Sequence, residues 1–270
     1  MSTILNASSF ALSLIGACAW GDMTIADENS DYVVTDFTSY AGHYGVTNGI
    51  SDRDFSGIMV NLSNGVGNGL HVEAAWQWRE EDSGLVSVGY SWELVEDLRA
   101  KISVGSSSQN DGIFPEVLAR VGLTYDSGPD VGLVSSIGLT ASSYRNGATT
   151  TMLQGGIVKY FSANEFGSYV VGQVDGNVTW AQPGSNLGWE VSGGLTLVNP
   201  SGLNFGLQAA LGLTAYDTIA VSNVQNRFRS VRPSVSYRLN DKTEIFARGE
   251  FMDSELYDLS GIFVGLKLQH

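Results

Sequence analysis

Lysine is nearly missing from this chain: among 270 residues it stands only at positions 101, 159, 242 and 267. A soluble β protein usually covers its wet face and its sheet edges with Lys and Glu. Charged residues make up 16%, against the roughly 25% of an ordinary globular protein. The polar positions are filled instead by Ser, Gly, Thr, Asn and Gln, which suit an enclosed aqueous lumen better than an open surface. Cys18 is the sole cysteine, so neither an internal disulfide nor a cysteine-rich metal site can form. Histidine is confined to His43, His71 and His270, too scattered to act together as metal ligands. A formal net charge of −14 excludes nucleic acid as a partner, because clustered Lys and Arg are needed to displace its counterions. No apolar run approaches the roughly 18 residues of a transmembrane helix. Any membrane span must therefore be made of strands.

At the N-terminus, "FALSLIGACAW" (residues 10 to 20) is a short apolar run. It ends in Ala17-Cys18-Ala19, the small-x-small pattern of a signal-peptide cleavage site. Residues 1–30 are thus expected to be a signal peptide or N-terminal export segment, although "MSTILNASS" lacks the usual basic residue. Two alternatives stay open: a degenerate lipoprotein box acylated at Cys18, and a retained segment that packs in or under the barrel.

What is abundant is alternation. In "LHVEAAWQWRE" (70 to 80), Leu70, Val72, Ala74, Trp76 and Trp78 share one parity, and His71, Glu73 and Gln77 the other. Side chains on a strand alternate faces, so each such segment reads as a strand with one apolar and one polar surface. Val86, Val88, Tyr90, Trp92 and Leu94 oppose Ser87, Gly89, Ser91 and Glu93 in the same way, as do Leu203, Phe205, Leu207, Ala209 and Leu211 their neighbours. From 31 to 270 the pattern yields about fourteen strands, with twelve as the alternative count. Many reach the ten or so residues that cross a bilayer when tilted.

Loop lengths supply a second signal. "GHYGVTNGISDRD" (42 to 54), "NDGIFPE" (110 to 116) and "TIAVSNVQN" (218 to 226) all follow odd-numbered strands, whereas the links after even strands ("GVGNG", "ED", "SGPD", "ANEF", "NPSG", "DK") are tight. Outer-membrane barrels sort long external loops from short periplasmic turns in this manner. Trp76, Trp78, Tyr90, Trp92, Tyr125, Trp180, Trp189 and Tyr237 lie near strand ends on or near the apolar parity, where aromatic girdles belong. The expected fold is all-β: a closed antiparallel up-and-down transmembrane β-barrel over residues 31–270. Closure follows because an unpaired strand edge in hydrocarbon costs several kcal/mol per group.

The final segment "LSGIFVGLKLQH" resembles the closing strand of bacterial outer-membrane barrels, without their terminal aromatic. "DFTSYAGHYGVTNG" (36 to 49) and "SSSQNDGIFPEVLARVGL" (106 to 123) resemble segments of the YaiO-type outer-membrane barrel family. That resemblance implies an envelope location and carries no catalytic motif.

If the apolar parity faces outward, a set of charges points into the lumen: Glu73, Glu93, Lys101, Arg120, Asp175, Glu190, Arg232, Arg238, Glu244, Arg248, Glu250 and Lys267. Arg232, Arg238 and Arg248 would stand opposite Glu244 and Glu250. Such a set either selects solutes through a transverse field or forms a cross-strand ion-pair ladder that stiffens or plugs the lumen. "GVGNG" (65 to 69) reads as a hairpin turn, since no helix follows it to hold an anion. Asp52, Asp54, Glu80, Glu81, Asp82 and Asp111 read as a solvated acidic rim.

The expected protein is a non-enzymatic outer-membrane channel or envelope component for small polar solutes, with no cofactor. Its partners would be the lipid bilayer and lipopolysaccharide, the barrel-assembly machinery and the solutes. Two other classes compete: a barrel-wall enzyme acting on lipid through His71 and Glu73 with a lumenal serine, and a soluble secreted β protein that binds a ligand.

Overall fold

A computed structural model describes residues 32–48, 51–64, 68–78, 82–108, 114–161, 167–215 and 225–269. The export segment and Cys18, like the external acids Glu80, Glu81 and Asp111, lie outside the described residues.

The long alternating segments become fourteen strands. They are β1 (Val33–Val46), β2 (Arg53–Ser63), β3 (Gly69–Trp78), β4 (Ser83–Val95), β5 (Leu98–Ser107), β6 (Val117–Asp126), β7 (Leu133–Ser143), β8 (Thr149–Tyr160), β9 (Tyr169–Gln182), β10 (Asn186–Val198), β11 (Leu203–Leu213), β12 (Arg227–Asn240), β13 (Thr243–Ser254) and β14 (Asp258–Gln269). One helical turn, Gly128–Val131, sits between β6 and β7. Each strand pairs antiparallel with its sequence neighbours, and β1 pairs β14, which closes the ring. Closure leaves no unpaired edge, the condition for crossing hydrocarbon. The register advances by about one residue per strand around the ring, the stagger that tilted strands need in order to close.

The apolar parity is outward. Val88, Val104, Val174, Leu195, Leu207, Leu211 and Ile262 are all exposed on a surface that polar residues barely interrupt, whereas a soluble sandwich or small barrel would bury them. Trp76, Trp78, Trp180 and Trp189 cluster at the end of the barrel that carries the links after odd strands. Tyr90, Trp92, Tyr125 and Tyr237 cluster at the other. Amphipathic rings at two levels mark the two edges of an apolar band. Exposed outward ion pairs, His43–Asp54 at 2.8 Å and Arg229–Asp253 at 2.8 Å, occur at the upper level alone among the described residues.

One segment departs from the sequence expectation. The loop expected at 42 to 54 contracts to 47–52, because β1 continues to Val46 and β2 starts at Arg53. In β1 the usual filling is inverted: Tyr40 and Tyr44 face inward, while Ser39, Ala41 and His43 face outward beside Leu266, Val264 and Ile262 of β14. Inversion hides the strand from a rule that equates apolar with lipid-facing.

Candidate functional site: the lumen wall

The register explains why β1 is inverted. Inward aromatics stand directly opposite inward glycines on the next strand: Tyr40 opposite Gly57, Phe55 opposite Gly42, Tyr44 opposite Gly261, Phe246 opposite Gly265 and Phe228 opposite Gly212. In each pair the ring covers its glycine so closely that an added Cβ would lie within 2.9 Å of a ring atom. A ring laid over a glycine in this way covers bare backbone and holds the two strands in register. The rings also meet each other, with centroids 4.5 Å apart for Phe55–Phe263, 5.0 Å for Tyr44–Phe263 and 5.1 Å for Tyr44–Phe55. The Arg53 guanidinium caps this cluster, 4.7 Å from the Tyr44 ring centroid. Phe263, Tyr257, Leu259, Met252 and Phe228 are buried with it. The inner wall of β12 to β2 is therefore aromatic and packed toward its upper end.

The remaining wall is polar. From β7 to β12 it carries Ser136, Gln154, Asp175, Asn177, Glu190, Ser192, Gln208 and Arg232 around about 480 Å³ of partly enclosed space.

The charged residues expected in the lumen separate into groups. Arg232, buried on β12, donates from Nε to Glu250 Oε1 at 2.8 Å and stands 3.7 Å from Glu190 Oε1. Tyr44 donates to Glu250 at 2.6 Å, and Asn177 to Glu190 at 3.4 Å. These bonds run from β9 round to β1. A second group joins β3 to β6: Glu73 accepts from Ser87 at 3.3 Å and stands 3.6 Å from Arg120, with Lys101 between them on β5. With the strand stagger allowed for, Glu73, Arg120, Asp175, Arg232 and Arg248 occupy one level of the barrel. Glu73 and Arg120 thereby meet across β4 and β5, whose inward positions there are Ser or Gly, and Arg232 reaches Glu190 across β11 past Gln208 and Ala210.

Other members of the expected set are placed differently. Arg248 donates to Gln208 Oε1 at 3.1 Å. Arg238 and Glu244 are paired in register near the lower end of β12 and β13, where Arg238 is exposed and Glu244 half-buried. Glu93 is exposed near the turn that ends β4, and Lys267 is buried on β14 beside Thr38. Asp175 accepts from Gln173 at 2.5 Å and forms no ion pair among the described residues. His71 lies over Gly89, close to Lys101 and Arg120, with no hydrogen bond to another described residue. A nucleophile–base pair needs such a bond, and here two cations are its charged neighbours.

The inward aromatics escaped the sequence reading. The signal that could have found them is the pairing of Tyr or Phe with Gly in neighbouring segments, visible only once register is known.

A closed antiparallel ring with an apolar exterior and a polar interior defines the class: this is a transmembrane β-barrel of the bacterial outer-membrane type. Solved structures agree on the fold. The outer membrane protein Omp33 of Acinetobacter baumannii superposes with a TM-score of 0.51 at 12% identity, covering 88% of this chain and 99% of that one. A bacterial polysaccharide outer membrane secretin superposes with a TM-score of 0.59 at 6% identity, covering 87% and 98%. No protein-family model matches the chain, and no curated protein matches it.

Proposed function

We propose that the protein is a passive channel of the bacterial outer membrane for small polar solutes. The observation that carries this reading is the open polar wall of β7 to β12, facing a lumen whose opposite side is closed by packed rings. Carboxylates and cations meet each other around the lumen, Glu73 standing 3.6 Å from Arg120 and Glu190 3.7 Å from Arg232. Solutes would pass a lumen lined by paired, largely compensated charges and by neutral polar groups. Proteins of this architecture take a cleaved export segment, are inserted by the barrel-assembly machinery and face lipopolysaccharide with their upper rim; residues 1–30 and the outward ion pairs at the Trp level fit those roles. Kinship with the YaiO-type family rests on residues 36 to 49 and 106 to 123.

Two measurements test the reading. Folded protein is expected to migrate ahead of boiled protein in cold SDS gels and to give discrete conductance steps in planar bilayers. A folded, heat-shifting barrel that never conducts would remove the channel and leave a structural role. Hydrolysis of labelled phospholipid that is lost in His71→Ala would instead establish the lipid-acting enzyme.

A further inference from the structure

We infer that the polar wall of β7 to β10 is a binding subsite for a neutral, hydroxyl-rich solute of sugar type. The inference rests on the channel reading and names the solute class that the channel recognises.

The first ground is the supply of unused hydrogen-bonding groups. Ser136 and Gln154 line the cavity and bond to no other described residue. Asn177 spends its amide N–H on Glu190, which leaves its carbonyl oxygen toward the space. Asp175 accepts from Gln173 at Oδ2 and also from Ser192, while the two oxygens of a carboxylate have about four acceptor sites in all. Together they offer a hydroxyl, a complete side-chain amide, an amide carbonyl and a carboxylate oxygen. Adjacent hydroxyls, each both donor and acceptor, match that mixture. No aliphatic or aromatic side chain lines the cavity, so an apolar solute would strand these groups unpaired.

The second ground is charge. Arg232 is already engaged by Glu250 and Glu190, and Arg248 by Gln208, which is itself bonded to Ser192. Two guanidinium groups thus stand against the three carboxylates of Asp175, Glu190 and Glu250. Near-balance of charge gives little hold on an anion, which Asp175 would also repel. Neutral solutes escape this penalty. Because Ser192, Gln208 and Arg248 are bonded in a chain from β10 to β13, and Arg232 is held by Glu190 and Glu250, the back of the site is organised before a solute arrives.

The test uses the full chain in planar bilayers with maltose as the probe. Wild-type current is expected to fall in a saturable way as maltose is added. In Gln154→Leu, and separately in Asp175→Asn, the half-saturating concentration should rise about ten-fold, the loss expected for one hydrogen bond to a buried polar group. The heat-shifted gel confirms that both variants fold. Steady conductance that maltose leaves untouched overturns the sugar subsite while the channel stands. Block by lysine methyl ester without block by maltose also overturns it and assigns the wall to organic cations. Should the barrel not conduct at all, the channel reading fails, and calorimetric titration of maltose into the detergent-solubilised chain decides the subsite: saturable heat, weakened in both variants, supports it, and absence of heat overturns it.

Discussion

The two sides of the lumen use the same inward positions in opposite ways. From β12 round to β2 the inward residues include rings laid over glycines, buried and interlocked beside the bonded Arg232 and Glu250. From β7 to β10 Ser136, Gln154, Asp175 and Asn177 stand half-buried around the cavity, with Thr140, Glu190 and Ser192 buried beside them. Outside, both sides present apolar residues to lipid. An outer face answers to one solvent and is uniform; an inner face can be packed or solvated, and this barrel does each on a different arc. The rigid arc holds the closing pair β1–β14 in register.

That contrast can be broken at the network joining the two sides. Arg232→Ala leaves Glu190 and Glu250 buried without their cation, and the expected loss is about 3–5 kcal/mol of folding stability, read as a lower urea midpoint for the heat-shifted band. A smaller effect sharpens the comparison between the sides. Gly261→Ala puts a Cβ 2.4 Å from the Tyr44 ring and should cost about 1–3 kcal/mol through overpacking. In Gly138→Ala the nearest side-chain atom is the flexible amide of Gln154 at 3.3 Å, and the same unfolding measurement should show a clearly smaller change. Equal losses at the two glycines would mean that the aromatic side is no more tightly packed than the polar one. The smallest change is expected for Ser136→Ala, within about 0.5 kcal/mol, since Ser136 bonds no described residue and faces open space.

Much of this was legible along the chain. Alternation located most strands, the tryptophans and tyrosines marked both edges of the apolar band, and the parity of Glu73, Arg120, Asp175, Glu190, Arg232 and Glu250 pointed inward. Partner choice was not legible. Arg248 bonds Gln208 across β12, and Glu73 meets Arg120 across two intervening strands, because long side chains reach past small inward residues. The end of β1 reads as loop from the sequence because its rings point inward, as Phe55, Phe246 and Phe263 also do on neighbouring strands.

By itself the sequence determined that the chain forms long two-faced strands, too greasy on one side to meet water and too poor in charge on the other to be an ordinary surface. This follows from a period of two, a property of neighbouring residues alone. Only the tertiary structure decided which ring covers which glycine, which cation meets which carboxylate, and which arc stays open. Those outcomes depend on the register at which distant strands meet when the ring closes, and no local pattern carries that information.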